Sequence, residues 1–456
     1  MKSQKLVLFT TRYPFFKSET FLETEITYLS NHFDKVIIIP RYCDDRPRPV
    51  PANVEIVEEY AKNHVNNRFL NAIRGGWKLF LDWVKPGEAK GRDIALMTGD
   101  SGAEGSHGHL DNTENHMEPL LVREWRNNRK HIMHPVGLIR MCIAADTFFY
   151  CRNWMKTRFR ETYGELSGYV FYSYWVNYET LALTEMKRRS PEFSVVSRVH
   201  AADIYQERHV PPYLPFRKIV LHDLDAVYPI SDYAVAYLSK VYGKPAENMQ
   251  VQRLGTQDPE HLNSGSESAD ERHIVSCSNI IPLKRVGWIV EVLGKLMNQV
   301  DFRLSWTHFG TGDDIDSLKE LASVRLGEKV SWTFKGQVSN REIMNFYRVV
   351  PVDLFVSTSS TEGIPVTVME AFSFGIPAVM FDVGAVAEII NDSCGALVSS
   401  DGGTDAFAAS VKRILSAPEI RQKKSQNARK VWLDKYDAAK NYPAFSEKLS
   451  AFSFKW

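Results

Sequence analysis

Long hydrophobic runs are missing from this 456-residue chain. The longest weakly polar window, residues 363–381, contains Pro365, Glu370 and Pro377, so it reads as loop, helix and strand of a soluble core and not as a membrane span. At the N-terminus the apolar run in MKSQKLVLFTTRYPFF is too short for a secretion signal and is followed at once by Arg12 and Pro14, which points to a first core strand. Cysteine is scarce: Cys43, Cys142, Cys151, Cys277 and Cys394 are odd in number, scattered and without a C-x-x-C pair. That excludes a disulfide framework or a zinc ribbon and makes a reducing cytosol the expected compartment. Excess charge is also absent, since 56 Lys and Arg oppose 55 Asp and Glu. A nearly neutral molecule has no overall field to hold nucleic acid, so any electrostatic partner must meet a local patch. Two nucleotide motifs are absent as well. GTGD at Gly310 lacks a third glycine, because position 315 is Ile315, and no Walker sequence occurs.

With 44% apolar and 24% charged residues, the chain has an ordinary globular composition and a length that suits two or three domains. Short β-branched runs alternate with amphipathic stretches, the pattern of parallel sheets built from βαβ units. One series runs through KLVLFT, VIIIP, VFYSYW, SVVSRVH and AVYPIS and ends near MQVQRLG at Met249. A second opens at HIVSCS and continues through FRLSWTHFG, VSWTFKG, DLFVSTS, PAVMFD and GALVSS. Between them PEHLNSGSESADER has the composition of a linker. The expected fold class is therefore α/β, with a first lobe over residues 1–258, a linker over 259–272 and a second lobe over 273–456 whose last helices are able to return to the first. Two such lobes imply a cleft between them. Residues 86–119, rich in Gly, Asp, Glu and His, read as a flexible insertion in the first lobe. Its His107, His109 and His116 could hold a metal, but with no cysteine nearby a solvated loop is the favoured reading and no metal site is expected.

The most informative segment is STSSTEGIPVTVMEAFSFGIPAVMFDVGAVAEII, from Ser357. It places Glu362 in the loop at a strand's C-terminal end and Glu370 about two turns into the helix that follows, at the edge where open α/β sheets bind ligands and helix-start amides favour phosphate. As an isolated pair, Glu362 would be a helix N-terminal acid and Glu370 a surface residue. In its context, with Gly-x-Pro twice and later Gly384 and Glu388, the segment resembles the signature of family 4 retaining glycosyltransferases of the GT-B fold. The resemblance extends through CSNIIPLKRV, THFGTGDD, FKGQVSNREIMNFY and DLFVSTSS, nearly all of the second lobe in order. In the first lobe SETFLETEITYLSNHFDKVIIIP and SRVHAADIYQER look like the branch of that family that builds bacterial exopolysaccharide and lipopolysaccharide.

The resemblance implies two Rossmann-like lobes facing across a cleft and transfer of a hexose-type sugar, with retention, from a nucleotide diphosphate sugar to a hydroxyl of a surface glycan or lipid-linked intermediate. It implies that Glu370 holds the ribose and Glu362 the transferred sugar, with the amides of Gly363 and Ile364 near sugar and diphosphate. Lys284 corresponds to the lysine that neutralises the leaving diphosphate, so neither a metal nor another cofactor is expected. Arg285 either assists it or faces solvent. His200 takes a supporting place among the catalytic groups, and Asp203 a weaker one. Arg198 either contacts the acceptor or pairs with Asp203. Gly310 and Gly312 shape the nucleotide pocket's rim or form an ordinary turn. The sequence also departs from the family: Ser278 and Asn279 stand where many relatives have Gly-Arg, and TTRYPFFKSETF replaces a glycine pair after the first strand. There Ser18 is expected to cap a helix, while Glu19 is left between capping and ligand contact.

From Leu121 to Arg160 nine Lys or Arg oppose Glu124 and Asp146, a local balance of +7, with aromatic residues interleaved. This composition suits an anionic membrane face and equally suits helices that turn their aromatics inward and solvate their charges. Nucleic acid is not expected as a partner, for want of a binding module. The localisation expected is cytoplasmic, with peripheral attachment to the inner face of the cell membrane. A sugar-nucleotide epimerase or sugar phosphorylase on the same architecture is the enzymatic alternative, and a non-catalytic glycan- or nucleotide-binding scaffold the other.

Overall fold

The computed structural model describes residues 4–16, 19–44, 46–64, 67–84 and 118–454. Ser18, His107, His109 and His116, and with them nearly all of the expected insertion, lie outside the described residues.

Two six-stranded sheets, all parallel, form the two lobes. In the first, β1 (Lys5–Thr10), β2 (Lys35–Pro40), β3 (Val54–Ile56), β4 (Tyr169–Ser173), β5 (Ser194–Val199) and β6 (Ala226–Pro229) take the order 3-2-1-4-5-6. In the second, β7 (Glu271–Cys277), β8 (Arg303–Phe309), β9 (Val330–Phe334), β10 (Leu354–Ser357), β11 (Ala378–Phe381) and β12 (Gly395–Val398) take the order 12-11-10-7-8-9. Helices cover both faces, which is why strands such as LVLF and VIII are continuous apolar runs buried on both sides. The two-lobed α/β architecture expected from the alternation is thus observed. Strand β3 has no counterpart in the sequence reading. The expected strand at MQVQRLG is reduced to one bridge, between Val227 and Met249.

Each sheet reverses its winding direction once, between β1 and β4 in the first lobe and between β7 and β10 in the second. At such a switch the two following loops diverge and leave a crevice at the strands' C-terminal ends. The chain passes between lobes at residues 252–256 and returns at 436–438. Thr256 N donates to Tyr436 O at 3.0 Å, and Ala438 N donates to Thr256 O at 3.0 Å, so the two passages are bridged to each other. Residues 263–266 already belong to the second lobe: Asn263 Nδ2 donates to Tyr347 O, and Ser266 N to the Asp353 carboxylate. After the return passage the helix Ala438–Ser450 packs on helix Phe21–His32, with the Phe445 ring against Tyr172 and Tyr228 of the first lobe.

The basic segment forms helices Leu120–Ile132 and Pro135–Trp154 and a following turn. Phe148, Phe149, Trp154 and Phe159 are buried in the first-lobe core. Arg123 binds Glu185 and Asp223, Arg158 lies near Glu59 and Glu161, and Arg160 lies near Glu165. Much of the local +7 is therefore balanced by acids that the sequence window did not contain, and most of its aromatics face inward.

Candidate active site

The loops after β7 and β10 start side by side, because those strands are parallel neighbours at the switch. Within the first of them Lys284 ends the short turn Pro282–Lys284, and its Nζ lies 2.6 Å from Oε1 of Glu362 in the second. Both loops are laced by backbone. Ser360 N donates to Leu283 O at 2.8 Å, and Thr358 Oγ1 donates to Arg285 O at 2.8 Å. Arg285 completes the lacing: its Nε and Nη2 donate to Thr358 O and Ser359 O, and its guanidinium covers the Trp288 ring at 4.2 Å. Arg285 is half-buried, has left-handed backbone with φ of 46°, and directs its guanidinium to the β10 loop carbonyls and the Trp288 ring.

Glu362 is also held from behind. The loop after β11 passes so close that a Cβ on Gly384 would stand 1.9 Å from Glu362 O, and Gly384 has φ of 58°, a conformation open mainly to glycine. Gly310 and Gly312 serve in the same way. A Cβ on either would meet Ser278 O at 1.9 Å or Ile280 O at 2.0 Å, so these glycines let the β8 loop support the stretch that carries Lys284. Gly363 faces the other lobe, where an added Cβ would lie 3.1 Å from the Ala201 methyl. Ile364 sends its side chain into the second-lobe core.

Glu370 sits in helix Val366–Ser373, four residues after its first, nearer one turn in than the expected two, and it is buried, not at the surface. Asn340 Nδ2 donates to its Oε1 at 2.5 Å, and burial raises its pKa from the usual 4.5 to about 7. The neighbouring Cys277 thiol is pushed up by burial and then by the charge of Glu370. Asn340 lies within the FKGQVSNREIMNFY segment but was not singled out by sequence reasoning. It opens a helix behind Ser339, whose side chain accepts from Glu342 N, and a capped helix start is a signal that sequence does carry.

Across the cleft, His200 follows β5. Its ring stacks on Tyr174 at 4.7 Å and lies near Trp175 and Phe21. Burial, reinforced by the charge of Arg198, lowers its pKa to about 3, so the imidazole is neutral across the physiological range, and Nε2 is buried with no partner among the described residues. Asp203 turns back: its carboxylate accepts from His200 N at 2.7 Å and Val176 N at 2.8 Å, which fixes the loop that aims His200. Burial raises its pKa to about 7. Glu19 performs a similar task after β1, accepting from the amides of Thr11, Arg12 and Tyr13 and from the Trp175 indole. It organises the loop that stands where relatives have glycines, and does not cap helix Phe21–His32.

Arg198 is the clear correction. It is fully buried and contacts neither an acceptor nor Asp203. Instead Nη2 lies 3.2 Å from Glu25 Oε1, Nη1 donates to Gln252 O, Nε donates to Tyr172 Oη, and the guanidinium covers Phe445 at 4.0 Å. Two contacts that hold the lobes together were also missed. Arg208 Nη2 donates to Thr361 Oγ1 at 3.0 Å, one residue from Glu362. Glu388 accepts from the amides of Asp232 and Tyr233, capping a first-lobe helix from the second lobe.

Comparisons with known proteins agree with this fold. A family model described as glycosyl transferases group 1 matches residues 257–431. The amylovoran biosynthesis glycosyltransferase AmsK of Erwinia amylovora is 28% identical over 182 residues, which cover 38% of this chain and 43% of that protein. The chain thus matches less than half the length of this curated relative. Among solved structures, sucrose-phosphate synthase of Thermosynechococcus elongatus aligns over 98% of both chains with a TM-score of 0.66 and 13% identity. HepE of Anabaena, in complex with UDP and glucose, aligns over 98% of this chain and 100% of its own, with a TM-score of 0.57 and 13% identity. The second lobe thus matches the glycosyl transferases group 1 family model, and the chain as a whole has the GT-B fold.

Proposed function

We infer that the protein transfers a hexose-type sugar from a nucleotide diphosphate sugar to a hydroxyl of a surface glycan or lipid-linked intermediate, with retention at the anomeric carbon. The observation that carries this reading is the Lys284–Glu362 pair, held at the switch point of the second sheet and opposite His200 in the first. The ammonium of Lys284 stabilises charge on the departing diphosphate, so no step calls for a metal ion. Glu362 accepts hydrogen bonds from the sugar and, lying beside the reacting carbon, favours positive charge there. Glu370, once ionised, accepts both hydroxyls of the ribose. The neutral imidazole of His200 offers its unpartnered Nε2 to the transferred sugar. Departure and attack on the same face, through an oxocarbenium-like state, give retention. The UDP and glucose bound to HepE make UDP-hexoses the first donors to test, and the name of AmsK supports a polysaccharide acceptor.

The test is turnover of UDP-, GDP- and ADP-sugars with and without a glycan acceptor, together with the anomeric configuration of the product. Lys284→Ala is expected to lower kcat by about 10²–10³-fold with the fold intact, and chelators are expected to leave wild-type activity unchanged. Near-normal turnover by that variant, or loss of activity with chelator, would refute the assignment. Product formed without acceptor would favour an epimerase.

A further inference from the structure

Exposed apolar side chains are concentrated on one face of the first lobe. Among the described residues 22 large apolar side chains are exposed; eight lie between Phe69 and Val84 and five between Trp125 and Ile139. The packing of helix Arg68–Val84 determines which of its sides turns outward. Asn71, Gly75 and Leu79 are buried, and Gly75 is pressed so close to helix Pro135–Trp154 that a Cβ would meet Cys142 O at 1.8 Å. Arg74 and Lys78 reach the buried Asp146 carboxylate at 2.7 and 3.1 Å. The helix is therefore clamped to the core by one side, while Phe69, Ile73, Trp77, Phe80 and Val84 form a stripe on the other, about 22 Å long at 1.5 Å per residue. An amphipathic helix of a globular protein normally turns such a stripe inward. Here the stripe runs into a groove of about 500 Å³ lined by Leu79, Phe80, Trp83, Leu121, Trp125 and Leu138.

The rim of this face is basic. Arg68, Arg129 and Lys130 are exposed around it, and Arg129 lies over the Trp125 ring. Among the described residues Glu118 pairs with Arg126, and Asp82 accepts from the amide of Leu120. We propose that this face docks on an anionic lipid bilayer, with the outer side chains of helix Arg68–Val84 seated below the headgroups and the rim cations at the lipid phosphates. An apolar stripe with tryptophans at its edge and cations beyond them matches the layered polarity of a bilayer surface. A second copy of the chain fits less well, because face-to-face pairing would oppose the same cations. The chain's own residues 85–117 have a Gly-, Asp-, Glu- and His-rich sequence, poor in the apolar groups such a face needs. The surface differs from the one that local charge suggested: it is centred on helix Arg68–Val84, which the basic window did not include. One loop links the helices of this face to the second lobe. Arg140 Nη1 donates to Pro211 O and His131 stacks on Tyr213, and the same loop sends Arg208 to Thr361. The proposal stands independently of the transfer chemistry.

The test is flotation of the full chain with vesicles of phosphatidylglycerol and phosphatidylethanolamine, beside vesicles of phosphatidylcholine alone. Anionic vesicles should carry the protein, salt should weaken the binding without abolishing it, and a Phe69→Ser, Trp77→Ser, Phe80→Ser variant should lose at least about tenfold in partitioning, as loss of three buried apolar anchors requires. In the unmodified protein, lipids brominated on their acyl chains should quench tryptophan fluorescence, and the Trp77→Phe variant should lose part of that quenching. Absence of binding to anionic vesicles, undiminished binding by a folded triple variant, or absence of quenching by brominated lipid would overturn the proposal. So would a concentration-dependent doubling of mass that the triple variant abolishes, which would assign the face to a second copy.

Discussion

Replacing Glu370 by Gln is expected to stabilise the unliganded protein at neutral and alkaline pH while weakening its hold on nucleotide diphosphate. The carboxyl is buried beside Asn340, and burial holds its pKa near 7 in place of 4.5. A folded-state pKa above the unfolded one means that the native chain binds the proton more tightly. The contribution is therefore present below pH 4.5 and lost as pH rises through about 7. At 1.36 kcal/mol per pH unit the loss approaches about 3 kcal/mol once the group is ionised in both states. Glutamine has the same shape, keeps an oxygen for the Asn340 amide and never ionises. Urea unfolding of both proteins, followed from below pH 4.5 to above pH 7, measures the difference, and groups common to both cancel. The variant's advantage should grow with pH by about that amount and level off above 7, while calorimetry shows weaker nucleotide binding. A difference that is flat with pH, or that moves in favour of the wild type as pH rises, would refute the reasoning, because burial would then not be holding this acid neutral.

Further expectations concern neighbouring groups. Glu362→Ala should spare nucleotide affinity and impair transfer, whereas Glu370→Ala should weaken the affinity itself; calorimetry with the nucleotide and turnover measured side by side would expose an exchange of roles. Arg198→Met should destabilise by about 3–5 kcal/mol, because Glu25 is left buried and unpaired. A second change, Glu25→Leu, should recover much of that loss in chemical unfolding, and no recovery would show that the pair is not the cause. Gly312→Ala should raise KM for the donor and lower kcat, since its Cβ would stand 2.0 Å from Ile280 O and push on the stretch carrying Lys284. Unchanged kinetics would mean that the Lys284 loop is not held from that side.

The second lobe was the more legible one because its chemistry sits on short loops directly after strands. DLFVSTS and HIVSCS mark β10 and β7 by their β-branched runs, and Glu362 and Lys284 follow within a few residues. Their meeting, 78 positions apart in sequence, comes from strand order, which periodicity does not encode. Arg198 was misread for a similar reason: its partner Glu25 lies 173 positions away, on a helix packed across the sheet. Strand β3 is three residues long, too short for alternation to register. MQVQRLG has the composition of a strand, but its pairing with β6 stops at one bridge and the amides of Gln250 and Gln252, because the chain leaves there for the other lobe.

The return of the last helix has a consequence for how the molecule is made. During synthesis the first lobe emerges with Arg198, Glu25 and Tyr172 in place but without Phe445, which covers the guanidinium at 4.0 Å. That pair stays open to water until some 250 further residues have left the ribosome. Closure of the first lobe thus waits for a segment made much later: a chain interrupted before Ala438 lacks Phe445 and Leu449 from the first-lobe core and Ala438 and Tyr442 from the second. Synthesis of the helix Ala438–Ser450, far from the first lobe in sequence, becomes the step that completes the first lobe's core.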